Sequence, residues 1–206
     1  MHAVLVDPTV AAALTEAVRE LELRSCAEVV VEVRSRSGSY AHADARFASL
    51  VALIALIVLL FSPWPFSPVW VVGDVVIAWV IGLIAASKSD PLRRVMTTER
   101  ERTAQVHATA SAVFHDRGVA NTSAETGVLV FLSVLERRVE IVADRGVLTS
   151  VPAEEWTQVV SAARVPGATT STLLEAVRAL TPVLECHLPV REGDVDELCN
   201  VPFVSE

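Results

Sequence analysis

Hydrophobic and polar positions along this chain follow three different rhythms. Behind Asp7-Pro8, an N-cap followed by proline at the first helical position, Val10, Leu14, Ala17, Val18 and Leu21 recur at helical spacing. Glu16, Arg19 and Glu20 lie opposite them, so the pattern predicts an amphipathic helix to about Arg24. From Ala27 to Arg34 the rhythm changes to alternation, with Val29, Val31 and Val33 on one side and Glu28, Val30 and Glu32 on the other. That predicts a strand, half-buried or near a sheet edge. Ser35 to Tyr40 is polar and reads as a loop. The third rhythm, from Phe47 to Ala86, is apolar almost throughout.

Between Arg46 and Lys88 there is one ionisable residue, Asp74, and the apolar run is broken only by Ser62-Pro63-Trp64-Pro65-Phe66-Ser67-Pro68. Each arm is roughly 18 to 20 residues if it borrows from its flanks, close to the ~20 that a hydrocarbon core requires. The prolines stand where a helix must stop, and Trp64, Phe66 and Trp70 suit a membrane interface. The expectation is a transmembrane hairpin. Arg34, Arg36 and Arg46 precede it and Lys88, Arg93 and Arg94 follow, while the turn carries no Lys or Arg. Basic flanks stay on the cytoplasmic side. The chain is therefore expected to be a multi-pass protein of the inner (plasma) membrane with both termini cytoplasmic. The first residues contain Asp7 and Glu16 and lack a basic n-region and an apolar h-region, so no cleavable signal peptide is expected. Asp74 would lie within the first two turns of the second arm, where water and the helix dipole lessen the cost of a carboxylate.

After the hairpin, Thr98 and Glu101 have capping-box spacing, and Val106, Ala110, Val113 and Phe114 mark the buried face of a helix that Gly118 can stop. Gly127 to Leu132 is a continuous apolar run, as in a central strand covered on both faces. Val139 to Ala143 is a second β-rich run, joined closely enough for an antiparallel hairpin and ended by Asp144-Arg145-Gly146. Helices are predicted from Pro152 to about Ala163, burying Trp156, Val159 and Val160, and from near Ser171, with Leu173, Leu174, Val177 and Leu180 inward and Pro182 kinking or ending it. The order predicts an α/β sandwich, with a mixed central sheet and helices on both faces, interrupted by a two-helix transmembrane hairpin. Its parts are residues 1–46 and 87–188, the hairpin at 47–86, and an acidic, irregular tail at 189–206. If the strand at Glu28 pairs with those after Gly127, both halves share a compartment and the number of spans is even.

Composition narrows the function. Removing the hairpin from 206 residues leaves about 165, enough for one domain with its own core. The net charge of −8 and the lack of a Lys/Arg stripe with interleaved aromatics argue against nucleic acid as a partner. Cys26, Cys186 and Cys199 form no CxxC, which suits reduced thiols better than a disulfide framework. His107 and His115 are too far apart for a shared ligand pair, and Gly127 has no companion glycines for a dinucleotide or phosphate loop.

The stretch Glu125-Thr126-Gly127-Val128-Leu129-Val130-Phe131-Leu132-Ser133, then Glu136-Arg137, Val139 through Val147 and Trp156, resembles the signature of the TPM domain family. The resemblance extends back to Ala27-Glu28-Val29, Phe114 and Gly118, and forward to His187-Leu188-Pro189 and Asp196-Glu197-Leu198, as in a bacterial membrane subgroup with two spans inside the domain. It implies an α/β fold. Family members include a thylakoid-lumen acid phosphatase and a membrane protein that modulates a neurotransmitter receptor. A domain without an export signal departs from the lumenal type.

The residues leave two functions open. Phosphoester hydrolysis needs a carboxylate or metal-bound water and positive charge for the phosphate oxygens. Asp144 and Arg145 have suitable types for catalysis, and Glu28, Glu125 and Asp144 could form a hard-metal site for Mg²⁺ or Ca²⁺. Asp-x-Gly after a strand is also an ordinary turn. The first expectation is accordingly an interaction or accessory module, with the lipid bilayer and other membrane proteins as partners. The alternative is a metal-dependent phosphatase.

Overall fold

The computed structural model describes residues 6–64, 66–191 and 197–205. Pro65 of the expected turn, and Asp196 with the rest of 192–196 in the expected tail, lie outside the described residues. The chain forms two compact units: Met1–Ser37 with Thr103–Glu206, and Gly38–Arg102.

The first unit is a mixed α/β fold built on a four-stranded sheet. Its strands are β1 (Glu28–Arg34), β2 (Gly127–Ser133), β3 (Arg138–Ala143) and β4 (Phe203–Ser205), in the order β3-β2-β1-β4. β1 runs parallel to both β2 and β4, and β2 pairs antiparallel with β3. Val29, Val31, Val33, Val128, Val130, Leu132, Val139 and Ile141 pack on one face against α1 (Pro8–Glu22), α7 (Ala153–Ala163) and α8 (Thr170–His187). The other face carries Val30, Leu129 and Phe131, covered by Val106, Ala110, Val113 and Phe114 of α5 (Glu99–Asp116) and by Val119 of a 3-10 turn. Side chains alternate between two covered faces, which is why β2 reads as a continuous apolar run.

Local signals act as their chemistry dictates. The Asp7 carboxylate accepts the Thr9 N–H at 2.8 Å ahead of Pro8. Gly118, just past α5, sits at φ +72°, the left-handed conformation that glycine adopts without strain. Three features differ from the sequence expectation. β1 is interior and buried along nearly its whole length, because β4 closes its outer edge. The last residues are therefore not wholly irregular. Pro182 lies inside α8 without ending it; Leu180, Val183 and Leu184 are buried around it, and their packing outweighs one missing hydrogen bond.

The second unit is a helical hairpin, α2 (Ala41–Leu60) and α3 (Pro68–Ser87), followed by the short α4 (Asp90–Met96). Both long helices have the length and apolar composition to cross a membrane, and only 22% and 11% of their most apolar stretches are buried inside the protein. They are therefore not core helices. Small residues line their contact: Ala48, Ala52, Gly82 and Ala86 are buried, and a Cβ on Gly82 would lie 2.9 Å from the Ala48 Cα. Such residues let helix backbones approach closely. The Trp79 indole N–H adds a 3.4 Å bond to Ser49 Oγ.

At the other end, α2 starts six residues before the expected span and carries two ionic ties. Asp44 is 6% exposed and holds Arg93 of α4 through two bonds, Nε to Oδ1 at 2.9 Å and Nη2 to Oδ2 at 2.8 Å. Arg46 reaches the Met96 carbonyl and the Glu101 carboxylate. Glu101 completes the expected capping box, accepting the Thr98 N–H at 2.8 Å while its own N–H bonds Thr98 Oγ1. That backbone bond first, and the Arg46 bond next, hold its carboxyl down at about 2.

Candidate functional site

The candidate residues from the sequence gather at one end of the sheet. Glu28 opens β1 opposite Gly127, and antiparallel β3 returns so that the Asp144 N–H bonds the Gly127 carbonyl at 2.9 Å. Glu125, at φ 55°, lends its carbonyl to the Gly146 N–H at 2.8 Å. Gly146 is obligatory there: a Cβ would come within 2.6 Å of the Ala124 and Glu125 carbonyl oxygens. Thr126 ties the loop to the segment that leads into β1 through its hydroxyl, which donates to the Cys26 carbonyl at 2.9 Å. The Asp-Arg-Gly segment is thus held by backbone contacts to the Glu125 loop.

The side chains have separate duties. Asp144 is the N-cap of α6 (Arg145–Ser150), its Oδ1 accepting the Arg145 N–H at 2.7 Å. Its Oδ2 is shut off from solvent with no hydrogen-bond partner among the described residues. Glu28 is 7% exposed and its Oε2 accepts the Leu198 N–H at 3.1 Å, so it clamps the returning C-terminal segment. Glu125 and Arg145 are exposed. Among the described residues, no three His, Cys, Asp or Glu side chains are placed to hold a metal ion. Asp144 keeps one unsatisfied oxygen, whereas Glu28 already serves the backbone.

Carboxylates also fasten the rest of the C-terminal segment. Glu22 accepts from Asn200 Nδ2 at 2.6 Å, and Glu197 accepts the Ser123 N–H and hydroxyl. The strongest tie is Glu32, placed by alternation on the polar side of β1 and 0% exposed. Its carboxylate accepts Arg117 Nε at 2.7 Å, Arg34 Nε at 2.9 Å and the Ser205 hydroxyl at 3.0 Å. The Arg117 guanidinium stacks over the Phe203 ring at 4.0 Å. Burial works to raise the Glu32 carboxyl, but the bonds from Arg117, Arg34 and Ser205 outweigh it and hold the group below its ordinary value. Sequence reasoning passed over this cluster, since Arg117 and Ser205 are 85 and 173 residues from Glu32. The available signal was two glutamates interleaved with valines in a strand.

Two histidines are also paired with carboxylates. His107 Nδ1 lies 2.8 Å from Glu140, which also accepts Arg164 Nη2 at 2.6 Å, and His187 Nε2 lies 2.8 Å from Glu155. Each pair ties one secondary-structure element to another: α5 to β3 and α7 to α8.

No family model and no curated protein matches the chain. Among solved structures, the NMR structure of the BA42 protein from the psychrophilic bacterium Bizionia argentinensis is similar, with 16% identity and a TM-score of 0.57. The match covers 99% of this chain and 97% of that one. At this identity the likeness is one of fold.

Proposed function

We propose that this chain is a membrane-anchored domain of TPM type that serves as an interaction or accessory module for other membrane proteins. In this reading the hairpin lies in the inner (plasma) membrane and both termini are cytoplasmic. The observation that carries it is the uncovered apolar surface of α2 and α3: Ile54, Val58, Val72, Val76, Ile77 and Ile81 are each more than half exposed. Lipid is the partner that removes such a surface from water. The resemblance from Glu125 to Trp156 supports the family, and the basic flanks support the orientation. Glu22, Glu28 and Glu32 of the sheet unit are engaged in holding its own C-terminal segment rather than in a shared site.

Two experiments test this. The chain should float with vesicles after an alkaline wash, and Ser62→Cys, made without the native cysteines, should react with an impermeant thiol reagent in intact cells. Recovery in the soluble fraction would remove the anchor, and protection of the thiol would reverse the orientation.

A second reading rests on the unsatisfied Asp144 Oδ2, which suits a divalent cation beside Arg145 in a metal-dependent phosphatase. Hydrolysis of an aryl phosphate by the purified protein, with Mg²⁺ or Ca²⁺ and with chelator, separates the two. Metal-dependent turnover that disappears in Asp144→Asn makes the protein a phosphatase. The same background from both proteins under every condition supports the module.

A further inference from the structure

Asp74 is the seventh residue of α3 and lies one turn beyond Trp70, on the same face, because residues four apart stack along a helix. Trp70 and Trp64 are 70% and 74% exposed near the turn, where indole rings sit at headgroup level in a membrane. At 1.5 Å per residue, Asp74 is about 6 Å deeper than Trp70 and about 9 Å along from Pro68. That places the carboxylate where headgroups give way to hydrocarbon, on a stem too short to reach back as Lys or Arg would.

The hairpin offers it nothing. Asp74 is exposed and makes no hydrogen bond or ion pair among the described residues. It is the one ionisable residue between Arg46 and Lys88, so α2 supplies no cation at its depth. A Cβ built on neighbouring Gly73 meets nothing within 4 Å, so the surface beside it is open. Trp70, Asp74, Ile77, Ile81 and Ile84 follow one another at four-three spacing, and the apolar members are 70%, 57%, 58% and 50% exposed. This is the spacing of a helix-packing seam. It is distinct from the one that α3 uses against α2, which runs through Gly82 and Ala86.

We propose that this seam docks a transmembrane helix of another membrane protein carrying a Lys or Arg at the depth of Asp74. The inference rests on the hairpin spanning the bilayer, and it gives the interaction module a partner of defined chemistry. A carboxylate and an ammonium or guanidinium are each costly alone at the edge of the hydrocarbon, and pairing relieves both. A second copy of this chain is the poorer occupant, since two-fold symmetry brings Asp74 against Asp74.

The test uses the full-length protein in phosphatidylcholine vesicles, with flotation after an alkaline wash as the first step. Dye-labelled Leu/Ala helices with Lys, Leu or Glu at the matching depth are the probes, and energy transfer reports association. The wild type should bind the Lys helix about ten-fold more tightly than the Leu helix, the scale of an interhelical polar bond in lipid. Asp74→Leu should lose that preference, and Asp74→Lys should transfer it to the Glu helix. Equal association of Lys and Leu helices with floated wild type overturns the proposal. Self-association lost in Asp74→Leu, without a Lys preference, overturns it in favour of a second copy. A chain that does not float overturns both this inference and the membrane anchor.

Discussion

The Asp44 carboxylate and the Arg93 guanidinium face each other through two near-parallel hydrogen bonds, with only 8% and 12% of their side chains exposed. They join the start of α2 to α4, two elements that the sequence separates by the whole hairpin. Breaking a buried pair from one side strands the other charge and costs about 3–5 kcal/mol. Arg93→Ala and Asp44→Ala are each expected to destabilise the hairpin unit on that scale. The double variant should cost no more than either. Denaturant titration in detergent, followed by the fluorescence of Trp64, Trp70 and Trp79, measures the cycle, and strictly additive losses would show the pair to be uncoupled.

Glu32 makes stability depend on acid. Its folded carboxyl is held below its ordinary value, so the stabilisation is complete above the unfolded value of about 4.3 and disappears as pH falls through the folded value. Glu32→Gln should lose about 1.5–3 kcal/mol at neutral pH, the size of hydrogen bonds to a charged group. The gap in Tm between wild type and Glu32→Gln should narrow as pH drops below that value. A gap that widened toward acid pH would contradict the arrangement.

Gly82 and Gly73 separate packing from propensity on one helix. A side chain at Gly82 meets the backbone of α2, so Gly82→Leu should lose about 1–3 kcal/mol by overpacking. Gly73→Ala meets open space and should gain up to about 1 kcal/mol from helix propensity. Unfolding of both variants in the same detergent gives the comparison; equal effects would mean the helices are not in close contact at Gly82.

At the sheet end, Gly146→Ala pushes a methyl to 2.6 Å from two carbonyl oxygens, whereas Asp144→Ala removes only a cap. The cap is worth about 1 kcal/mol. Gly146→Ala is expected to be the more damaging of the two in chemical denaturation.

Pro182 leaves the Arg178 carbonyl without its helical donor. Since α8 continues past it to His187, Pro182→Ala should stabilise the sheet unit by about 1–3 kcal/mol, seen as a higher Tm. A lower Tm would mean that the helix depends on the proline's fixed φ.

The sequence by itself determined every feature set by near neighbours. The two apolar helices follow from the run around Ser62–Pro68, the start of α5 from Thr98 and Glu101, the buried face of α1 from the spacing of Leu14, Val18 and Leu21, and the β2–β3 hairpin from the shortness of its link. Hydropathy, capping and turn chemistry act over a few residues, so they can be read locally. Only the tertiary structure decided the fate of the charges. Glu32 and Asp44 are polar in sequence yet buried, because Arg117, Ser205 and Arg93 arrive from 49 to 173 residues away to satisfy them. β4 and the interior position of β1 were hidden for the same reason: three residues at the far end of the chain have no periodicity of their own. They become a strand because the open edge of β1 and the carboxylate of Glu32 supply their partners.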